Sequence, residues 1–311
     1  MPSTVLVTGG AGFIGSYVVP LLLERGHRVR ILDNMSRGDR QKVAEWTATG
    51  QVDLVEQDVR YGGAVHDAMR GCDAVVHLAA VSVNKSLADP YESIDINLVG
   101  GHNVFAAAAG LGVRRVVFAS SASVYGDPET LPMTEDGPVD PMTPYCISKL
   151  TGEQLLAFHA RRWAMTWIAL RFFNVYGPGQ KPTAYYTSVI NHFVKWLRNG
   201  EPPVIDGRGE QSMDFVHVHD IARAVVMALD VDPARATVPI NIGTGIDTTV
   251  ADLARTLIGA VGLDVEPLFN PREVLVSRRA ADTTRAREVL GWEPMIDLAT
   301  GMKDLVESEI V

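Results

Sequence analysis

A short apolar run, Thr4-Val5-Leu6-Val7, passes directly into Thr8-Gly9-Gly10-Ala11-Gly12-Phe13-Ile14-Gly15. Residues 17–26 follow, apolar at helical spacing and closed by Gly26. Nothing else in the chain limits its folding so strongly. Strand, glycine turn and helix in that order form the unit that cradles a phosphate. Gly9 is read as the tight turn, Gly12 as the point where backbone amides reach a pyrophosphate, and Gly15 as the place where helix lies close to strand. The positive end of the helix then faces the anion. A second strand over 28–32 ends in Asp33, about 18 residues beyond Gly15, where an acidic group meets the adenosine ribose hydroxyls. A carboxylate there repels a 2′-phosphate, so NAD is favoured over NADP, with Arg37 close by to moderate the preference.

Strand and helix patterns then alternate. Residues 52–56, 74–78 and 116–119 read as strands, and 39–49, 63–70 and 97–111 as helices. Strands without polar alternation predict a parallel sheet covered on both faces. The rhythm predicts an α/β, doubly wound Rossmann fold. Beyond residue 174 prolines interrupt the pattern around a helix over 186–199. Residues 214–218 and 221–229 read as a strand and helix returning to the sheet. The division expected is therefore 1–173 with 214–232 as the dinucleotide-binding domain, and 174–213 with 233–311 as a smaller, C-terminal substrate-binding lobe. Ligands of such folds bind in the cleft beyond the carboxyl ends of the strands.

With 311 residues, 47% of them hydrophobic, the chain can bury a large core. Its formal net charge of −9 argues against nucleic-acid or anionic-membrane partners. No segment nears the ~20 apolar residues of a membrane span, and the N-terminus lacks the pattern of a secretory signal. Two cysteines, Cys72 and Cys146, form no disulfide framework and suit a reducing compartment, so a cytoplasmic protein is expected. His77 ends an apolar strand and reads as a core histidine. His217 and His219 alternate with valine on a strand, so no metal site is expected. Cys146 reads as packing, and Trp163 with Trp167, four apart, as a core or interface pair.

The chemistry gathers in Ser120-Ser121-Ala122-Ser123-Val124-Tyr125-Gly126 and in Tyr145-Cys146-Ile147-Ser148-Lys149. Tyr145 and Lys149 are four apart on a predicted helix and so share a face. A free phenol, with a pKa of ~10, is a poor base at neutral pH. A neighbouring ammonium and a cationic nicotinamide ring favour the phenolate. Ser121, at a strand end, can hold the same substrate hydroxyl against Tyr145.

These segments, with His77-Leu78-Ala79-Ala80, Arg171-Phe172-Phe173-Asn174-Val175-Tyr176-Gly177-Pro178, Asp214-Phe215-Val216-His217-Val218 and Asn241-Ile242-Gly243, resemble the extended short-chain dehydrogenase/reductases over essentially the whole chain. Within that family the likeness is to NAD-dependent nucleotide-sugar epimerases of the UDP-glucose (galactose) 4-epimerase type. The resemblance implies NAD as cofactor, a UDP-sugar as substrate and a homodimer formed through the helix after Asn97 and the helix carrying Tyr145, with Ala106–Ala109 allowing close packing. It places Gly9, Gly12, Phe13, Ile14 and Gly15 on the pyrophosphate. Asp33, Asn34, Ser36 and Gly38 would hold the adenosine ribose, and Asp58 and Val59 the adenine. Leu78, Ala79 and Ala80 would pass beneath the cofactor, with Asn97 nearby. Ser121, Tyr145 and Lys149 are the implied catalytic set, Tyr145 and Lys149 also touching cofactor. Ser123 would face the sugar, Asn174 the diphosphate, Ser188 and Val189 the nucleotide, and Pro203, Val204 and Ile205 the uracil.

The expected reaction is inversion at C4 of a UDP-hexose through a transient 4-keto sugar. Ala122 and Ser123 stand where dehydratases and decarboxylases of the family carry extra acids, which leaves epimerisation. Two positions depart from the family pattern: Met213 and Gly179 occupy places commonly held by arginine. Arg279 matches another phosphate-binding position, and Arg208 or Arg278 stands near enough in sequence to assist. Ala280 falls where some relatives limit the sugar pocket. A UDP-glucuronate 4-epimerase, a 4-ketosugar reductase and a non-catalytic dinucleotide sensor are the alternatives.

Overall fold

The alternating β and α patterns emerge in a computed structural model, which describes residues 3–180, 189–271 and 277–309. The first half runs β1 (Thr4–Thr8), α1 (Gly15–Glu24), β2 (Arg28–Asp33), α2 (Arg40–Thr47), β3 (Val52–Glu56), α3 (Gly62–Met69) and β4 (Ala74–His77). After α4 (Val83–Ala88) and α5 (Pro90–Ser93), a π-helical stretch at Ile94–Gly100 leads into α6 (Gly101–Gly110). β5 (Arg115–Ser121), a 3-10 turn at Ala122–Tyr125, α7 (Pro144–Trp163) and β6 (Thr166–Phe172) complete this part. The helix expected over 97–111 thus begins earlier and contains one wide turn.

The remainder runs β7 (Asn174–Tyr176), α8 (Val189–Arg198), β8 (Val204–Asp206), β9 (Ser212–Met213), β10 (Phe215–His217), α9 (Val218–Leu229), β11 (Val238–Ile242), β12 (Thr248–Thr249), α10 (Val250–Val261), β13 (Leu268–Asn270), a π turn at Ala286–Leu290 and α11 (Leu298–Glu309). The central sheet has seven strands in the order β11-β6-β5-β4-β1-β2-β3, every pairing parallel. Its order reverses between β1 and β4, so their carboxyl ends flank a crevice. Apolar residues on both faces explain why: the alternate residues Val5 and Val7 enter one core with Val18 and Leu22, while Leu6 joins the other with Val75, Phe105 and Phe118.

Residues 214–218 were expected to return to the main sheet as a strand. β10 instead pairs with β7 in a separate two-stranded ribbon, and α9 alone returns, packing on α1 and β5. The strand that does rejoin is β11, beside β6. The division that gave all of 233–311 to the smaller lobe is corrected accordingly. Further along, fully buried Trp292 donates its indole N–H to the Asp220 carbonyl at 3.0 Å and shares a core with Val18 and Leu22. The smaller lobe has its own core, in which Phe193 and Leu197 of α8 meet Leu253 and Leu257 of α10 and Met302 of α11.

Candidate active site

The glycine loop sits at the reversal point of the sheet. Gly9 has φ +69°, and a Cβ there would lie 2.7 Å from the Ala79 nitrogen just beyond β4. At Gly15 a Cβ would lie 2.4 Å from the Gly10 carbonyl oxygen, so this glycine closes the loop on itself. That is a tighter role than helix-on-strand spacing. Asp33 ties the loop to β2: its carboxylate accepts the amides of Ala11 at 3.1 Å and Met35 at 2.8 Å. Burial raises its pKa above the ordinary carboxylate value, against those two bonds. Gly38 leaves room for the Met35 side chain, 2.7 Å from where a Cβ would stand. Phe13 packs edge-on against Tyr17, with Ile14 beside the core.

Asn34 accepts from the Ser36 amide and hydroxyl and donates to Asp58 at 2.8 Å. Burial alone would raise the Asp58 pKa, yet bonds from the Arg60 side chain and amide and from Asn34 hold it at about 2. Val59 lies in the core against Gly100, so only its backbone can face a ligand. Beyond β4, the Leu78 amide donates to the Thr8 carbonyl and that of Ala79 to the Thr8 hydroxyl. His77 is the core residue the sequence suggested: it bonds Thr8 at 2.6 Å, lies between Phe105 and Phe118, and is held neutral by burial and by Lys149, its pKa about 3. Asn97, expected beside the cofactor, uses its amide on both the N–H and the carbonyl of Val81. It therefore positions the segment holding Ala79 and Ala80.

Thr143 caps α7 by accepting the Cys146 amide, and Pro144 takes the first helical position. One turn apart, Tyr145 and Lys149 face the end of β5. The Lys149 Nζ is 5.4 Å from the Tyr145 ring centre and donates to the Ala119 carbonyl at 2.8 Å. Lys149 is only 4% exposed, and burial pushes its pKa down to about 7. A depressed lysine pKa means that the unfolded chain holds more protons between pH 7 and 10.5, so stability rises with pH through that window. Lys149→Met in dinucleotide-free protein is expected to gain on the order of 2 kcal/mol over the parent at pH 6, a gain that fades towards pH 10. Paired denaturant titrations check this; a difference independent of pH would refute it.

Ser121, at the end of β5, accepts the Ser123 amide at 3.2 Å. The Ser123 hydroxyl oxygen is buried with no hydrogen-bond partner among the described residues. Arg279 donates to the Gly126 carbonyl at 3.0 Å and faces Cys146 and Asp127; burial pushes its pKa down, against those two neighbours. Arg278 pairs with Asp247 and Arg208 is exposed. Ala280 is buried, and its carbonyl accepts the Met133 amide.

Sequence reasoning passed over the support behind this surface. Glu153, one further turn along α7 from Lys149, accepts from Arg171 at 3.0 and 2.8 Å and from Ser120. Arg171 also donates to Tyr125, whose hydroxyl donates to Asn241, and Asn241 donates its backbone N–H to Glu135. The spacing 145, 149, 153 was the available signal. Asp214, fully buried, gathers the amides of Thr244, Gly245 and Ala281, while its own carbonyl accepts the Asn174 amide. It stands in one of the segments that carry the resemblance, but its partners lie 30 to 67 residues away in the chain.

Among the implied nucleotide contacts, Val189 opens α8, and Ser188 lies outside the described residues. Val204 is exposed on β8, next to Pro203, whose carbonyl accepts the Leu268 amide. Ile205 is 1% exposed in the smaller lobe's core, leaving its backbone alone for a ligand. His217 ends β10 whereas His219 lies in α9, and Trp163 ends α7 whereas Trp167 lies in β6, so neither pair shares an element. The Cys146 sulfur lies 2.9 Å from the Thr143 hydroxyl. Among the described residues, no three His, Cys, Asp or Glu side chains are placed to hold a metal, and no helix is long and apolar enough to cross a membrane.

Comparison with known proteins agrees with this geometry. Residues 5–243 match the model of the NAD dependent epimerase/dehydratase family. The chain is 38% identical over 311 residues to a UDP-glucose 4-epimerase from Mycolicibacterium smegmatis, covering 97% of each. It superposes with a TM-score of 0.89 and 34% identity on the UDP-glucose 4-epimerase of Thermotoga maritima solved with UDP-glucose, covering 98% of both chains. With the Thermus thermophilus UDP-glucose 4-epimerase solved with NAD, the TM-score is 0.84 at 32% identity, again over 98% of both.

Proposed function

Because the chain belongs to the NAD dependent epimerase/dehydratase family, we propose that it is an isomerase inverting C4 of a UDP-hexose of the glucose/galactose type. The observation that supports this reading is the pairing of Tyr145 with Lys149, whose Nζ lies 5.4 Å from the phenol ring centre and bonds the carbonyl of Ala119, two residues before Ser121 on β5. The glycine loop fits a dinucleotide site, since Gly9 packs against the Ala79 backbone more closely than a Cβ would allow and so turns the chain at the reversal point of the sheet, where such folds bind their ligand. Gly9, Gly12 and Gly15 would hold the pyrophosphate, Asp33 the ribose and Lys149 the nicotinamide ribose. The chemistry that NAD supplies there is reversible acceptance of a hydride from C4.

The protein's own residues handle the proton. Tyr145 takes it from the sugar 4-hydroxyl, and Ser121 holds that hydroxyl in line. The charge of Lys149 stabilises the phenolate oxygen. On the return step Tyr145 gives the proton back to the 4-oxygen of the keto sugar, which has turned over to present its other face, so no second redox substrate is consumed. The test is incubation of purified protein with UDP-galactose and no added cofactor, followed by NMR. UDP-glucose and UDP-galactose should reach equilibrium; absence of interconversion in protein carrying NAD would reject the reading.

The proposal extends to a cytosolic homodimer. Cys72 and Cys146 are free thiols. The outer face of the π stretch and α7 exposes Ile94, Val99, Ile147 at 50% and Phe158 at 55%. Residues 147 and 158 lie three turns apart on one stripe. Of the four alanines expected to allow close packing, Ala107, Ala108 and Ala109 are buried within the protomer, which leaves Ala106 for the interface. Ile147→Asp with Phe158→Asp is expected to shift the sedimentation profile from dimer to monomer; an unchanged profile would place any interface elsewhere.

A further inference from the structure

The ammonium of Lys149 is buried with little to hold its charge. Among the described residues it has one hydrogen-bond acceptor, the Ala119 carbonyl at 2.8 Å, and no carboxylate partner. An ammonium carries three N–H donors, and leaving water for one neutral acceptor disfavours its charged form. The other contacts on hand are aromatic. The Nζ stands over the Tyr145 ring at 5.4 Å from its centre and over the Phe118 ring at 5.1 Å. Both fall within the ~6 Å at which a ring face attracts a cation, an attraction that grows as water is excluded.

The surroundings of Phe118 fix the plane of that ring. The residue is 1% exposed, stacks on His77 at 5.6 Å and 17°, and meets Phe105 edge-on at 5.4 Å. α7 makes room for it at Gly152, where a Cβ would come 2.8 Å from the ring tip. Lys149 stands three residues before this glycine, and Ala119 follows Phe118 on β5. Adjacent residues of one strand thus give a ring and a carbonyl to the same ammonium. An aliphatic side chain such as those of Val116 and Val117 would fill the core without offering a π face.

The other ionisable groups around the ammonium do not take this part. His77 on β4 is neutral, its pKa about 3, and Glu153 on α7 is engaged by Arg171 of β6 and by Ser120. Tyr145 is the group that the charge serves. Resting on the epimerase reading above, we propose that Phe118 is a positioning residue for the proton transfer: its ring face keeps the Lys149 ammonium charged and seated beside the Tyr145 phenol. Phe118 lies in the core and acts only through Lys149.

The test follows the titration of Lys149 in the holoenzyme by NMR of lysine labelled with carbon-13 at Cε, alongside turnover of UDP-galactose. Phe118→Met keeps a buried apolar side chain and removes the ring. The half-titration point of Lys149 is expected to fall by about one pH unit, and kcat at pH 7 by about tenfold, with KM and bound NAD unchanged. Site-specific replacement of Phe118 by difluorophenylalanine keeps the ring and weakens its negative face, so a smaller fall is expected. That protein carries the test if the methionine variant does not fold. An unshifted titration with the fluorinated ring would overturn the inference, because packing alone would then explain Phe118. A shifted titration with parent kcat would overturn its link to proton transfer. Absence of interconversion by the NAD-loaded parent would remove the epimerase reading, and the Lys149 titration would still decide whether the ring holds the charge.

Discussion

Replacing Tyr145 by phenylalanine is expected to lower C4 epimerisation by roughly 10²- to 10⁴-fold, the scale of a lost general acid–base group, while dinucleotide stays bound. The phenyl ring keeps the packing that sets Lys149 5.4 Å from the ring centre, so α7 has no reason to shift. Gly9, Asp33 and Lys149, the proposed cofactor contacts, are untouched. Turnover measured by NMR, NAD content after denaturation and melting temperature together separate loss of chemistry from loss of binding. Near-parent turnover would remove Tyr145 from the proton path. Loss of NAD alongside turnover would make it a binding residue instead.

The second large effect is on stability. Glu153→Ala is expected to cost on the order of 3–5 kcal/mol, because it strands the buried Arg171 guanidinium. Both partners are almost wholly buried, and the two bonds between them are 3.0 and 2.8 Å. The consequences do not stop at the pair. Arg171 also holds the Tyr125 hydroxyl, and Tyr125 closes the turn that follows Ser121. The variant should therefore lose activity even below its melting temperature. Exchanging both residues for apolar ones of similar volume, Glu153→Leu with Arg171→Met, should recover much of the stability but not the turnover. Urea titrations of the single and double variants supply the numbers. A loss below about 1 kcal/mol in Glu153→Ala would show that the network is not structurally critical.

The parts of this fold legible in the sequence are those in which neighbours in the chain act together. The glycine loop, the helical spacing of Tyr145 and Lys149 and the apolar strands are all local patterns, and each element formed where expected. The residues that sequence reading missed draw their role from distant partners. Glu153 acquires a role through Arg171 and Asp214 through Thr244, Gly245 and Ala281, while Asn97, expected beside a cofactor, also holds the Val81 backbone. β10 reads as a sheet strand from the residue pattern of 214–218, yet such a pattern does not select a partner, and the strand pairs with β7. The resemblance places Ile205 and Val59 on ligands, whereas their apolar side chains lie in cores and leave only backbone for a contact.

Trp292 gives the order of the chain a further meaning. The first core contains this residue near the C-terminus, together with Leu290, and the sheet gains its edge only with Val238–Ile242. A nascent chain leaving the ribosome therefore carries an N-terminal half whose core stays incomplete until residue 292 has emerged. Stalled chains of increasing length, probed by brief proteolysis, should show residues 1–230 becoming resistant only when Trp292 has cleared the exit tunnel.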